Sequence, residues 1–175
     1  MDMAGKGKME DAAAMRLALV QARLAADEGE VPVGAVVVLD GDVIGASYNA
    51  PIGGLDPSAH AETRAIRQAC LAVGNYRLSG ATLYVTVEPC TMCAGLLVHS
   101  RIARLVFGAT EPKSGAVVSN LNLLTNGPYN HRIEVTGGVL ASDCAALMSD
   151  FFAQRRARQK ALKQTSRPNP EKPAT

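Results

Sequence analysis

The segment TLYVTVEPCTMCAGLLVH at residues 82–99 decides the fold class of this 175-residue chain. Its first six residues are apolar or β-branched, which is typical of a buried strand. Pro89 follows close to the point where a helix can begin, because a first helical turn does not need the N–H that proline lacks. Residues 91–99 then predict a helix. The segment is therefore a strand, a tight turn and a helix in immediate succession.

The chain on either side continues this alternation after an opening hairpin. The other predicted strands are residues 33–39, 43–48, 104–109 and 133–135. The other predicted helices are residues 9–28, residues 60–73 and one that begins at Ser142 or Asp143 and runs into the C-terminal segment. Residues 110–131, rich in Gly, Asn, Ser and Pro, predict a long loop. Because helices join the later strands, we expect those strands to lie parallel in an α/β sandwich.

The composition bounds the chain to one globular domain. Of its 175 residues 47% are apolar and 19% charged, which suits a single hydrophobic core. We expect this domain to span residues 9–157, between a flexible N-terminus (1–8) and a basic, disordered tail (158–175). No run approaches the roughly 18 apolar residues of a membrane span, and charges interrupt the one candidate signal segment. We therefore expect a soluble, cytoplasmic protein whose four cysteines are ligands, catalytic thiols or core residues rather than disulfides.

The charge of the chain is unevenly distributed. Residues 1–154 carry 11 Lys and Arg against 15 Asp and Glu, a net charge of −4, whereas residues 155–175 carry seven against one, a net charge of +6. A concentrated positive segment on an acidic body indicates a polyanionic partner, because each neutralised phosphate releases counterions. A solubilising helix end would have the same composition, so charge alone leaves nucleic-acid binding open.

Two short segments carry the candidate chemistry, and each begins a predicted helix. The first is His60-Ala61-Glu62, and the second contains Cys90 and Cys93. Cysteines three residues apart share one helix face, and a helix N-terminus lowers the pKa of a thiol. Two thiolates and an imidazole make three zinc ligands, which leaves the fourth position of the ion open for water. Glu62 lies about 200° around the helix from His60. It is therefore free to act as a base toward that water.

Two alternatives stay open on these residues alone. A Cys-x-x-Cys pair that follows a strand and opens a helix is also the arrangement of thioredoxin-like redox proteins, although they have no need of His60 and Glu62. A closed, structural zinc site would instead require a fourth protein ligand. The candidates for that ligand are Cys70, Cys144, His99 and His131. Both of these cysteines lie in apolar helical patterns, which favours positions in the core.

At this point the sequence resembles a known family. HAE at residues 60–62 and PCTMC at residues 89–93 match the H-x-E and P-C-x-x-C signature of zinc-dependent nucleobase deaminases. The flanking text, including EVPVGAVVV, DPSAHAE, NHRIEV and SDFF, is similar to that of bacterial tRNA-specific adenosine deaminases, in the same order and at similar spacing. The resemblance covers about residues 9–157. It implies a cytidine-deaminase-like fold, a three-layer α/β/α sandwich around a central mixed sheet of about five strands.

The resemblance also implies roles for individual residues. The histidine and the cysteine pair would hold one zinc ion per chain, and Glu62 would shuttle protons. The Asn49 side chain would hydrogen-bond a flipped base, and the backbone N–H of Ala61 would approach its ring. Val31 and Pro32 would help to wall the pocket. The residues in elements that resemble RNA-contacting ones are Glu111, Lys113, Phe151, Phe152 and Arg155. The family sequence used for comparison has Asp at the position of Glu111.

The implied reaction is hydrolytic deamination of adenosine to inosine at the wobble position of a tRNA anticodon, using zinc-activated water. The implied partner is the anticodon stem-loop, whose partly unstacked bases are less costly to extrude than those of a duplex. The family implies a homodimer whose two subunits both bind RNA, and it requires no nucleotide cofactor. An alternative within the same chemistry is deamination of a free base or nucleoside of the cytidine or guanine type.

Overall fold

The computed structural model describes residues 9–165, and its elements follow the predicted alternation. The helices are α1 (Asp11–Asp27), α2 (Ala61–Val73), α3 (Thr91–His99), α4 (Leu123–Asn126) and α5 (Ala141–Thr165). The strands are β1 (Gly34–Leu39), β2 (Asp42–Tyr48), β3 (Thr82–Val87), β4 (Arg104–Ala109) and β5 (Glu134–Gly137). The opening hairpin and the strand–turn–helix unit of residues 82–99 are confirmed.

The five strands form one mixed sheet in the order β2-β1-β3-β4-β5. Strand β1 pairs antiparallel with both β2 and β3, whereas β3, β4 and β5 are parallel. Parallel neighbours need a crossover connection, and α3 lies in the one between β3 and β4. The mixed sheet and the parallel arrangement of the later strands agree with the prediction.

Both faces of the sheet are buried, because successive strand residues point to opposite sides. On β3, Leu83 and Val85 belong to a core that α2 and α3 cover. Tyr84, between them, belongs to a second core with residues of α1 and with Cys144 of α5. Helices therefore cover the sheet on two sides. This is the predicted three-layer α/β/α sandwich.

Helix α2 packs closely on β2, and both of its ends are defined by local chemistry. A Cβ on Gly45 of β2 would overlap the backbone carbonyl of Ala65, so only glycine lets the helix lie this close to the strand. The helix stops at Gly74, whose φ of 69° is left-handed, as the sequence predicts. Its N-cap is His60. The packing of α2 therefore sets the position of a predicted zinc ligand.

The segment 110–131 differs from the predicted irregular loop. It contains the short helix α4, and part of it enters the core. Its buried apolar residues are Ala116, Val117 and Leu124. Composition indicates the absence of long elements here, but it does not reveal that tertiary contacts hold the segment against the sheet. Strand β5, which follows, begins one residue later than predicted and extends to Gly137.

The C-terminal helix also differs from prediction. It begins at Ala141, ahead of the two predicted caps, and it continues to Thr165, so residues 158–165 are helical rather than disordered. The basic residues of this part stand on a helix that is exposed along its last turns. Residues 1–8 and 166–175, for which we predict flexibility, lie outside the described residues. Within residues 9–165, no helix is both long and apolar enough to cross a membrane.

Candidate active site

The N-termini of α2 and α3 meet at one edge of the sheet and bring three donor side chains together. His60 is the N-cap of α2, and Cys90 is the N-cap of α3. Cys93 lies in the first turn of α3 and is fully buried, whereas the other two donors are half-buried. The sequence predicts these three residues as a set. The structure places their donor atoms within 4.8 Å of one another.

The distances between these donors fit a tetrahedral zinc ion. His60 Nδ1 lies 3.6 Å from Cys90 Sγ and 3.6 Å from Cys93 Sγ. For zinc at about 2.3 Å from sulfur and about 2.05 Å from nitrogen, a tetrahedral angle places the two donors about 3.6 Å apart. The imidazole and the thiols therefore already have the spacing that zinc requires.

The electrostatics of the group also favour a cation. A hydrogen bond from the Cys93 thiol, supported by one from His60, lowers the pKa of Cys90 to about 4. The same Cys90–Cys93 hydrogen bond, together with burial, raises the pKa of Cys93. The hydrogen bond to Cys90 raises the pKa of His60 against the opposing effect of burial. The lowered pKa makes Cys90 a thiolate near neutral pH, and the thiolate is the form of cysteine that binds a metal cation.

A closed structural zinc site does not fit the coordinates. Among residues 9–165, no fourth His, Cys, Asp or Glu joins the cluster. Cys144 is buried on the opposite face of the sheet, and Cys70 donates to the backbone carbonyl of Tyr76. His131 pairs with the carbonyl of Ile102. His99 is exposed at the end of α3. Three protein donors therefore leave one position of a tetrahedral ion open.

Glu62 is in the first turn of α2 and is 4% exposed. Burial raises the pKa of its carboxyl, and the negative charge of Cys90 adds to that rise. A carboxyl whose pKa lies above its usual range can hold a proton and release it near neutral pH. Because Glu62 lines the same cavity as His60, it is placed to exchange protons with a molecule bound there.

Asn49 follows β2 and is buried, and its amide orientation is fixed by Ala61. The backbone N–H of Ala61 donates to Asn49 Oδ1 at 2.9 Å, so the atom on that side must be the oxygen. In the described part of the chain, Asn49 Nδ2 has no partner. Since Asn49 lines the cavity, this group is a donor available to a ligand. The N–H of Ala61, which the family resemblance places near the ring of a bound base, donates to Asn49 in this structure.

These side chains surround a cavity of about 290 Å³, a volume near the lower end of the range for small-molecule sites. Val31 lines it, as the sequence predicts. Pro32, predicted beside Val31, is buried and does not contribute to the lining; its neighbour Val33 does. The remaining lining comes from four loops, from Val87 at the end of β3 and from Met148 of α5.

Comparisons with known proteins agree on the family. Residues 9–156 match the family model of MafB19-like deaminases. A tRNA-specific adenosine deaminase of Haemophilus influenzae is 48% identical over 161 residues, 91% of this chain and 93% of the relative. That of Bacillus subtilis is 44% identical over 154 residues, 88% of this chain and 96% of the relative. This chain belongs to the tRNA-specific adenosine deaminases.

A solved structure supports the same assignment. It comes from studies of A-to-I editing by tRNA:A34 deaminases at the wobble position of transfer RNA, and it is 48% identical to this deaminase. The alignment has a TM-score of 0.75 and covers 77% of this chain and 97% of that one. The cytidine-deaminase-like fold that the sequence predicts is therefore confirmed, and the redox alternative is not needed to explain the cysteine pair.

Sequence reasoning missed two buried carboxylates of this deaminase, Glu30 and Glu88, which both line the cavity. Glu30 accepts a hydrogen bond from the backbone N–H of Gly53 at 2.7 Å. Glu88 accepts from four backbone N–H groups of the segment 111–119. Burial alone would raise the pKa of Glu88, but the bonds from Ser119 and from these N–H groups lower it to about 2. An acidic residue directly after a strand of apolar and β-branched residues is the sequence signal that identifies Glu88.

The deaminase residues predicted to contact RNA are in two places. Glu111 lines the cavity, and exposed Lys113 lies beside it, where the backbone N–H of Lys113 donates to Glu111 Oε1. Phe151 and Arg155 lie in a groove between α5 and the end of α1. The ring of Phe152 meets that of Phe151 edge to face at 5.4 Å. The structure therefore places one group at the mouth of the cavity and the other on α5.

Proposed function

We propose that this deaminase converts adenosine to inosine at the wobble position of a tRNA anticodon, consuming water and releasing ammonia. The single observation that carries the proposal is the cluster of one imidazole and two thiols with the buried carboxyl of Glu62 on the same cavity. The relatives named as tRNA-specific adenosine deaminases span nearly the whole chain, which supports a tRNA substrate for that chemistry.

His60, Cys90 and Cys93 would hold one zinc ion per chain. The fit of their spacing to a tetrahedral ion and their negative charge support zinc over harder cations, which prefer oxygen ligands. Zinc bound in this way leaves one position for water and lowers the pKa of that water.

The chain's own groups account for proton transfer and for base orientation. Glu62 takes a proton from the attacking water and delivers it to N1 of the adenine; it then takes the proton of the new hydroxyl on C6 and passes it to the amino group, which leaves as ammonia. Asn49 Nδ2 donates a hydrogen bond to an acceptor on the ring, and the Ala61 N–H keeps the amide in that orientation. Val31 and Val33 cover apolar surface of the base and exclude solvent.

RNA outside the cavity would be held by Lys113 and by the exposed cations of α5, of which Arg155 lines the same groove as Phe151. Cations at these positions suit phosphate contacts, which fix the register of a nucleic acid without reading its sequence. We propose that the enzyme acts as a homodimer in the cytoplasm, where tRNA is its substrate, and that residues 9–157 form the catalytic domain.

The test combines metal content and inosine formation in one pair of variants. Glu62→Gln should keep one zinc per chain and lose about 10²- to 10⁴-fold in turnover of an anticodon stem-loop, the usual share of general acid–base catalysis. Glu28→Gln removes an exposed carboxylate bonded to Tyr48, away from the cavity lining, and serves as the matched control. Turnover that survives in Glu62→Gln would refute the assigned role. Rapid turnover of free adenosine, cytidine or guanine, with none of the stem-loop, would refute the tRNA substrate.

A further inference from the structure

Glu88 stands between the metal-ligand turn and the segment that forms one wall of the cavity. It directly follows β3, is 3% exposed and lies two residues before Cys90. Its carboxylate contacts residues 23 to 31 positions further along the chain. The reaction proposed above gives this group no chemical role. A buried carboxylate with so many partners therefore needs another explanation.

Both carboxylate oxygens of Glu88 are used to hold the wall segment 111–119. Oε1 accepts the N–H groups of Val117, Val118 and Ser119 at 3.0, 2.8 and 2.9 Å. Oε2 accepts the N–H of Glu111 at 3.0 Å and the hydroxyl of Ser119. The two ends of the segment are thus bound to one side chain. Hydrogen bonds to an ionised acceptor are roughly twice as strong as neutral ones.

The same segment contacts the turn that carries the zinc ligand. The N–H of Ala116 donates to the carbonyl of Pro89 at 2.9 Å, and Gly115 forms an isolated bridge with Cys90. Directly before these contacts in the chain, Glu111 and Ser114 line the cavity. A Cβ on Gly115 would lie 2.5 Å from Glu88 Oε2, so the carboxylate occupies the space next to this glycine. The position of the wall therefore depends on Glu88.

We propose that Glu88 is a positioning residue for substrate binding, whose carboxylate holds residues 111–119 in the conformation that forms the cavity wall. This inference rests on the proposed function, because the substrate it concerns is the adenosine of the anticodon loop. Loss of the carboxylate lowers the population of the binding-competent wall. The apparent affinity falls by the same fraction, whereas bound substrate still meets an intact catalytic group.

The experiment compares Glu88→Gln with Glu134→Gln in the full-length, zinc-loaded protein. Glu134 is an exposed carboxylate that pairs with Arg104, so its variant controls for the substitution itself. For a synthetic anticodon stem-loop, we expect KM of Glu88→Gln to rise on the order of tenfold with kcat and zinc content nearly unchanged. Ser119→Ala, which removes one of the five bonds, should raise KM by a smaller factor.

Trypsin supplies a readout that does not need substrate. Lys113 is exposed and is the only Lys or Arg between positions 104 and 132. Cleavage after Lys113 should accelerate on the order of tenfold in Glu88→Gln and stay at the wild-type rate in Glu134→Gln, because cleavage follows the population of the opened segment. The fragment that begins at Ser114 identifies this cut by mass spectrometry.

The outcomes separate the two proposals. Unchanged KM with a reduced kcat, or cleavage after Lys113 no faster than in Glu134→Gln, would overturn the role of Glu88. If Glu88→Gln does not fold, the separate changes of KM and of kcat in Ser119→Ala decide the question in the same way. A wild-type enzyme that deaminates no RNA would instead contradict the proposed function, while the trypsin comparison would still test whether Glu88 holds the wall.

Discussion

The side-chain amide of Asn49 has an acceptor, Oδ1, and a donor, Nδ2, and two substitutions can distinguish the contributions of these two atoms. Oδ1 accepts the N–H of Ala61 at the start of α2, whereas Nδ2 has no partner among the described residues and belongs to a side chain that lines the cavity. Asn49→Ala removes both functions. Asn49→Asp keeps an acceptor for the N–H of Ala61 and replaces the donor in the cavity with a second acceptor. The negative charge of the new side chain would also lie at a helix N-terminus, where it is favourable.

The two variants should therefore rank in opposite orders for stability and activity. Asn49→Ala leaves a buried N–H without its acceptor, which costs about 1–3 kcal/mol of unfolding free energy, or roughly 2–12 °C in Tm. It also loses one neutral hydrogen bond to the base, about 2- to 13-fold in kcat/KM. Asn49→Asp should keep the wild-type Tm. In the cavity, however, its second carboxylate oxygen would face the acceptor atom of the base. That mismatch costs about 1–3 kcal/mol, or about 5- to 150-fold in kcat/KM.

The assays are thermal unfolding of the zinc-loaded proteins and inosine formation in an anticodon stem-loop. Asn130 provides matched controls, because it is exposed and its Oδ1 accepts from Arg101 outside the cavity. Asn130→Ala and Asn130→Asp should change neither quantity much. If Asn49→Asp unfolds earlier than Asn49→Ala, or retains more activity, the assignment of the two sides of the amide is wrong.

Three further predictions concern the metal, the second core and the basic segment. Cys93→Ala should abolish bound zinc while Cys70→Ala keeps one ion per chain, which elemental analysis would check; equal losses would contradict the ligand set. Burial and the bond to Asp11 raise the pKa of Tyr84 to about 12, so the stability that its neutral form contributes is complete below pH 10 and is lost as pH rises from 10 to 12. Unfolding titrations should show that loss, up to about 3 kcal/mol, in wild type and not in Tyr84→Phe. Deletion of residues 155–175 should weaken tRNA binding and flatten its salt dependence with zinc content unchanged, and an unaltered salt slope would leave the segment no role in binding.

The cluster of one imidazole and two thiols could be predicted from sequence because each of its signals is local. His60 and Cys90 are helix caps whose positions follow from short patterns, and Cys93 stands one turn further on the same helix. The alternation of strands and helices then brings the two helix N-termini to one sheet edge. The prediction needed no knowledge of long-range side-chain contacts, and this is why the fold and the grouping of the three donor side chains agree with it.

The parts that could not be predicted depend on contacts between distant segments. The composition of residues 110–131 indicates a loop, but the loop is ordered by Glu88, whose bonds span up to 31 positions. The cavity wall contains Val33 where the sequence predicts Pro32. This difference is one position along the chain, which local patterns do not resolve. The hydrogen bond from the Ala61 N–H to Asn49 depends on the side-chain conformation of a loop residue, which residue spacing does not predict.

Glu62 and Glu88 line the same cavity, and their different surroundings give them different roles. Both are nearly fully buried, at 4% and 3% exposure. Glu62 has too few donors to offset burial and lies near a thiolate, so the pKa of its carboxyl rises and it can carry a proton. Four N–H groups and a hydroxyl surround Glu88, which keeps its pKa near 2 and the side chain ionised, so it serves as an anchor. The number of donors around each carboxylate, rather than its depth in the protein, therefore separates proton transfer from structural support.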